Sequence, residues 1–137
     1  NNLAMTTLLK GTFLLEGRYE YDPQQIESAK RILSKAIALD KNNWLTKSNM
    51  AVLETTAQNF TAAEKLYLEA LSSSGESAEL QYRVGNFYHT QKDFVKAEKH
   101  YQQALKKLSA LRTPASQKRV EDIETRLKLV TEKQLPQ

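Results

Sequence analysis

Self-similarity at a fixed lag of 34, as from Phe60 to Phe94, constrains this chain more than any other feature. The run Asn59-Phe60-Thr61-Ala62-Ala63-Glu64-Lys65-Leu66-Tyr67-Leu68-Glu69-Ala70-Leu71 lies over Asp93-Phe94-Val95-Lys96-Ala97-Glu98-Lys99-His100-Tyr101-Gln102-Gln103-Ala104-Leu105, with Phe, Ala, Glu, Lys, Tyr, Ala and Leu coinciding. One lag further upstream, Ile26, Ala29, Leu33, Ala36 and Ile37 keep the same order of large apolar and small side chains. Within each copy Ala63, Tyr67, Ala70 and Leu71 fall at i, i+4, i+7 and i+8, one face of a 3.6-residue helix. A small side chain on that face lets a neighbouring helix approach, and the large one beside it fills the groove.

A second helical stretch precedes each of these. Trp44 to Leu53 and Leu80 to His89 are its copies, and Val84-Gly85 follows Met50-Ala51 at the same lag. A glycine inside a helix is less favourable than alanine by about 1 kcal/mol, so Gly85 requires a close helix contact. The earliest copy fits only with an insertion. Leu8-Leu9-Lys10-Gly11 and Leu14-Leu15 read as its first helix, with Gly11 as the small residue. Gly11 to Ala51 spans 40 residues, which leaves 6 extra residues around Gly17 to Pro23 as a widened turn. Asp22-Pro23 then starts a helix, with Asp as N-cap and Pro at the first helical position.

Val84-Gly85, Tyr88, Ala97 and Tyr101, with Asp93-Phe94 opening the second helix, resemble the tetratricopeptide repeat pattern. The second copy is looser, because Glu54 stands where an aromatic is usual and Lys47 occupies the usual Trp place. Leu39-Asp40-Lys41-Asn42-Asn43 is similar to the family's closing Leu-Asp-Pro-Asn-Asn without its proline. The resemblance covers about residues 3–108. It implies an all-α fold: a right-handed superhelix of about three antiparallel helical hairpins, at about 3–40, 44–74 and 78–111 within residues 1–112. Residues 113–137 are expected to form a C-terminal capping helix and tail, the alternative being a helix offered to a partner. That helix is signalled by Thr113-Pro114 and by the narrow apolar stripe Val120, Ile123, Leu127, Val130, with Lys118–Asp122, Asp122–Arg126 and Glu124–Lys128 as charge pairs on its other faces.

The resemblance also implies a role. First helices of successive hairpins line a concave groove in this family. The matching faces here hold Leu8, Thr12 and Leu15, then Ser48, Val52 and Thr55, then Tyr82, Asn86 and His89. Tyr82 is the best aromatic anchor among them, and Asn86 has both donor and acceptor for a peptide backbone. Arg18, Tyr19 and Tyr21 in the inserted loop are a further contact candidate. The expected function is a non-enzymatic scaffold that binds a protein or peptide within a larger assembly; the alternative is self-association through the terminal helices. Groove places that hold Lys, Asn and Arg in repeats clamping heat-shock chaperone tails hold Leu8, Thr12, Val52, Tyr82 and Asn86 here, with Asn86 alone suited, which disfavours that subtype.

Composition narrows the rest. The 137 residues contain no Cys, which excludes a disulfide framework, a thiolate metal site and a cysteine nucleophile. His89 and His100 stand 11 apart with no His-Glu-x-x-His pair, and there is no Gly-rich phosphate loop. No metal, cofactor or enzymatic activity is therefore expected. No apolar run is long enough to cross a bilayer. A soluble chain is expected, with nothing to choose between cytoplasm and bacterial periplasm, and any targeting segment would precede Asn1. Residues 91–137 carry 11 basic and 6 acidic side chains, against 9 and 10 in residues 1–90. This basic third admits acidic partners, but nucleic acid is disfavoured, because the aromatics sit at packing places.

Overall fold

The computed structural model describes residues 12–15, 18–74, 77–111 and 113–135. The chain divides into two compact units, residues 1–73 and 74–137. The first begins with an antiparallel hairpin, β1 (Thr12–Leu15) and β2 (Arg18–Tyr21), in which Thr12 faces Tyr21 and Leu15 faces Arg18. Then come α1 (Pro23–Leu39), α2 (Trp44–Thr56) and α3 (Phe60–Ser74). The second unit holds α4 (Ala78–Thr90), α5 (Phe94–Leu108) and α6 (Pro114–Lys133).

The hairpin corrects the sequence reading. Thr12 and Leu15 were expected on a helix and lie on a strand, while Arg18, Tyr19 and Tyr21, expected in a loop, form the paired strand. Leu8 and Gly11 lie outside the described residues. The reason is local: Thr, Phe and Tyr favour the pleated backbone. The hairpin thus falls where the lag of 34, counted back from α2, calls for a helix.

Between α2–α3 and α4–α5 the period of 34 is kept in helix bounds and in the turns that close α2 and α4. Both ends of α2 and α4, and of α3 and α5, differ by 34. Asn43 caps α2 through the Thr46 amide and Ser77 caps α4 through the Leu80 amide, at 3.1 and 3.2 Å. After α2 the Asn59 amide reaches back to the Glu54 carbonyl at 2.7 Å; after α4 the Asp93 amide reaches the Tyr88 carbonyl at 2.9 Å. Each turn passes through a left-handed residue, Gln58 with φ 65° and Lys92 with φ 61°. Helix ends closed this way usually carry glycine at that point, because a Cβ there crowds the carbonyl.

In the first unit Ala29 and Leu33 of α1 pack with Met50 and Leu53 of α2, and Leu66 of α3 lies against them. Glu54, at the odd place of the second copy, is almost buried. Lys30 of α1 pairs with its carboxylate at 2.9 Å and the Asn59 amide donates to it at 2.8 Å. The ion pair fills the space that Tyr88 fills one repeat later. In the second unit α5 packs between α4 and α6. Ala97, Tyr101 and Ala104 of α5 and Ile123 and Val130 of α6 are fully buried. α6 starts on a capping box in which Thr113 and Ser116 bond each other's backbone amides at 3.1 Å.

Gly85 shows why the repeat needs a small residue. A Cβ built on it would lie 2.6 Å from Cδ1 and 2.7 Å from Cε1 of the buried Tyr101 ring. Helix propensity favours alanine by about 1 kcal/mol, and overpacking opposes it by about 1–3 kcal/mol. Gly85→Ala is expected to lower unfolding stability in urea, and a gain would show the contact to be loose. Gln58→Gly and Lys92→Gly are each expected to raise it by about 0.5–1 kcal/mol, read from the same midpoints.

Candidate functional site

The first-helix residues singled out from the sequence meet different fates. On α2 the Ser48 side chain is completely buried, so it belongs to the packing and not to a contact surface. Val52 and Thr55 are half-buried, and the Thr55 hydroxyl donates to the Ala51 carbonyl at 2.8 Å. On α4 Tyr82 is only 6% exposed, while Asn86 and His89 are half-buried.

What covers Tyr82 was not foreseen. Arg119, Asp122 and Arg126 project from one face of α6 at i, i+3 and i+7. The Arg119 guanidinium lies 4.4 Å from the centre of the Tyr82 ring and that of Arg126 lies 5.6 Å away. The Tyr82 hydroxyl donates to the Asp122 carboxylate. Arg126 also pairs with Asp122 at 3.4 Å and donates to the Asn86 side-chain oxygen at 3.1 Å. That oxygen accepts the Tyr101 hydroxyl at 2.7 Å, and the His89 Nδ1–H donates to the Tyr101 oxygen at 3.2 Å. One chain of hydrogen bonds therefore fastens α4, α5 and α6. The sequence signal was present: these three residues each immediately precede a member of the apolar stripe, so they flank its buried edge.

Electrostatics follow the geometry. The Tyr82 hydroxyl, helped by both arginines, holds the Asp122 carboxyl below its usual range. Burial pushes the Tyr101 phenol up to about 12, so it stays a donor at neutral pH. Burial, followed by the Arg126 charge, lowers His89. His100 is lower still, down to about 4, through burial and then Lys99 and Lys96. Its ring stacks on Tyr88, with centroids 5.6 Å apart, and its Nδ1–H donates to the Gln81 side-chain oxygen at 2.8 Å. His100 thus serves packing. Among the described residues no three acidic or His side chains gather to hold a metal ion, and no helix is long and apolar enough to cross a membrane. The first unit adds a cleft of about 710 Å³ between the start of α2 and the outer face of α3, with the Lys47–Glu69 pair, 3.7 Å apart, and the half-exposed Leu68 on its walls.

No family model and no curated protein sequence matches the chain. Solved structures do. The type III secretion chaperone SycD of Yersinia enterocolitica, in complex with a peptide of the translocator YopD, superposes with a TM-score of 0.76 at 11% identity, covering 98% of this chain and 91% of SycD. Pseudomonas aeruginosa PilF gives 0.74 at 21%, over 96% of this chain and 50% of PilF. The TPR2B domain of yeast Sti1, in its pHsp70 complex, gives 0.68 at 13%, over 81% and 86%. The fold is tetratricopeptide-like. At these identities the likeness is one of fold, and within it the tetratricopeptide-like hairpins α2–α3 and α4–α5 are the two whose helices, turns and caps repeat at the lag of 34.

The His100 environment sets a pH response. Because its folded pKa lies below the unfolded value near 6.5, the contribution of the neutral ring is complete above pH 6.5. It is lost as pH falls from 6.5 towards 4, where the unfolded chain takes a proton that the fold refuses. Thermal melts across that range should show the wild type losing stability, and His100→Gln should flatten this part of the profile.

Proposed function

We propose that the chain is a non-enzymatic scaffold that binds a peptide segment of a partner protein within a larger assembly. The observation that carries this reading is the likeness, over nearly the whole chain, to a chaperone solved with its partner's peptide in place. Two features of the chain agree with it. Among the described residues His89, His100, Tyr82, Tyr101, Asp122 and Arg126 are engaged in packing and hydrogen bonds, and no three acidic or His side chains gather at one place. Its first helices also keep half-exposed apolar and polar groups, Val52 and Thr55 on α2 and Asn86 and His89 on α4.

The contacts we assign are Val52 and Thr55 in the first unit, and in the second Asn86 and His89 with the α6 arginines Arg119 and Arg126. Tyr82 acts from beneath by holding those guanidinium planes in position. Planar guanidinium groups suit a peptide's carbonyls and carboxylates better than a point charge does. Pairing of the α6 stripe with its twin, one form of the self-association reading, would need Ile123 and Val130 to leave their buried positions; end-to-end stacking of terminal helices would not.

Panning a random peptide library on the intact chain should enrich a consensus. Val52→Arg should weaken the synthetic consensus peptide at least about tenfold, or about 1.4 kcal/mol, with the melting temperature kept. Failure to enrich any sequence, or an unchanged affinity in the variant, would remove this reading.

A further inference from the structure

The face of α5 turned away from its buried residues carries Lys92 from the preceding turn, then Lys96, Lys99, Gln103 and Lys106, all exposed. Ala97, Tyr101 and Ala104 occupy the opposite, buried face. At 1.5 Å per residue the lysines run for about 21 Å. Lys92, Lys99 and Lys106 form no ion pair among the described residues, while Lys96 stands 3.6 Å from Asp93 and 5.2 Å from the centre of the Tyr88 ring. The acidic residue within α5, Glu98, is occupied elsewhere: the amides of Gln134 and Gln102 donate to it at 2.8 and 3.4 Å.

The repeat supplies an internal control. One period earlier the equivalent places hold Gln58, Ala62, Lys65, Glu69 and Ser72. The packing residues are retained between the two helices, yet the net positive charge appears in the later one alone, because Glu69 offsets Lys65 in the earlier. Packing therefore does not require lysine at 92 or 106, where the earlier helix has Gln58 and Ser72, and a row of like charges at helical spacing is itself mildly unfavourable.

We propose that this stripe is a second interaction surface, distinct from the α2 and α4 faces, that takes an acidic, extended segment of a partner polypeptide. Charge complementarity selects the sign of the partner. Lysine heads are mobile point charges, tolerant of the spacing of Asp and Glu. Gln102 and Gln103, both exposed among the lysines, carry donor and acceptor groups for a peptide backbone. Single-stranded nucleic acid fits less well, because α5 exposes no aromatic ring on which bases stack: Tyr101 is buried and Phe94 half-buried. A membrane surface fits less well too, since Val95 is the one large apolar side chain of α5 that is strongly exposed.

The test titrates the full chain into a fluorescein-labelled peptide of repeating Asp-Glu-Ser, about twelve residues long, and follows anisotropy in about 50 mM salt. Binding should weaken at least about tenfold in Lys99→Glu/Lys106→Glu and fall steeply with added salt. The milder Lys99→Gln/Lys106→Gln should lie between. Lys35→Glu/Lys41→Glu, which changes the net charge equally at exposed places of the first unit, should stay within about twofold of wild type. Melting temperatures should not move. Equal losses in the two Glu doubles would overturn the proposal by reducing it to net charge. So would absence of binding at low salt, or tighter, stripe-dependent binding of an oligothymidylate or of phosphatidylserine vesicles. None of these results depends on Val52, so this surface and the peptide-binding reading above stand or fall separately.

Discussion

Tyr101 reaches the bare backbone of Gly85 because no side chain stands between them, and much of the second unit is arranged around that contact. With its ring seated there, the hydroxyl emerges beside Asn86 and His89, and the Asn86 oxygen has a second acceptor direction left for Arg126. The guanidinium that enters this way also neutralises Asp122 and covers Tyr82. A contact between a missing methyl group and a ring thus helps to decide where an arginine of another helix stands. The network is satisfied at every atom named, which is the condition under which buried polar groups lend definition to a fold rather than weaken it.

The hairpins were legible in the sequence because packing dictates them twice. Ala63, Tyr67 and Ala70 must recur as Ala97, Tyr101 and Ala104 if each pair of helices is to approach to the same distance, and they do. Caps and turns followed from local chemistry at Asp22, Thr113 and Asp93. The segment from Thr12 to Tyr21 was misread because leucine and glycine were matched to repeat places, while the strand propensity of Thr12, Phe13, Tyr19 and Tyr21 was passed over. Periodicity extrapolated past its last good match overrode the local signal.

The candidate site was legible only in part, for a different reason. Ser48, Val52 and Thr55 were read as one face of α2, but a face is not a surface, and burial of Ser48 depends on neighbours that no spacing within the helix reveals. At Tyr82 and Asn86 the reading found the right residues without their cover. Asp122–Arg126 does form the expected pair along α6, yet the same two side chains turn inward to Tyr82 and Asn86. A charge pattern that explains itself locally conceals a tertiary role.

One place in the repeat is filled by two unlike chemistries. Against α1, Glu54 is held by Lys30; one period on, Tyr88 lies stacked with His100. The backbone treats them alike, but the surrounding solution does not. An ion pair with one end partly in water is screened by dissolved salt, whereas the stacked imidazole answers to acidity. Two otherwise equivalent hairpins of a single short chain are thereby tuned to separate features of their environment, and a shift in either one bears on one half of the molecule first.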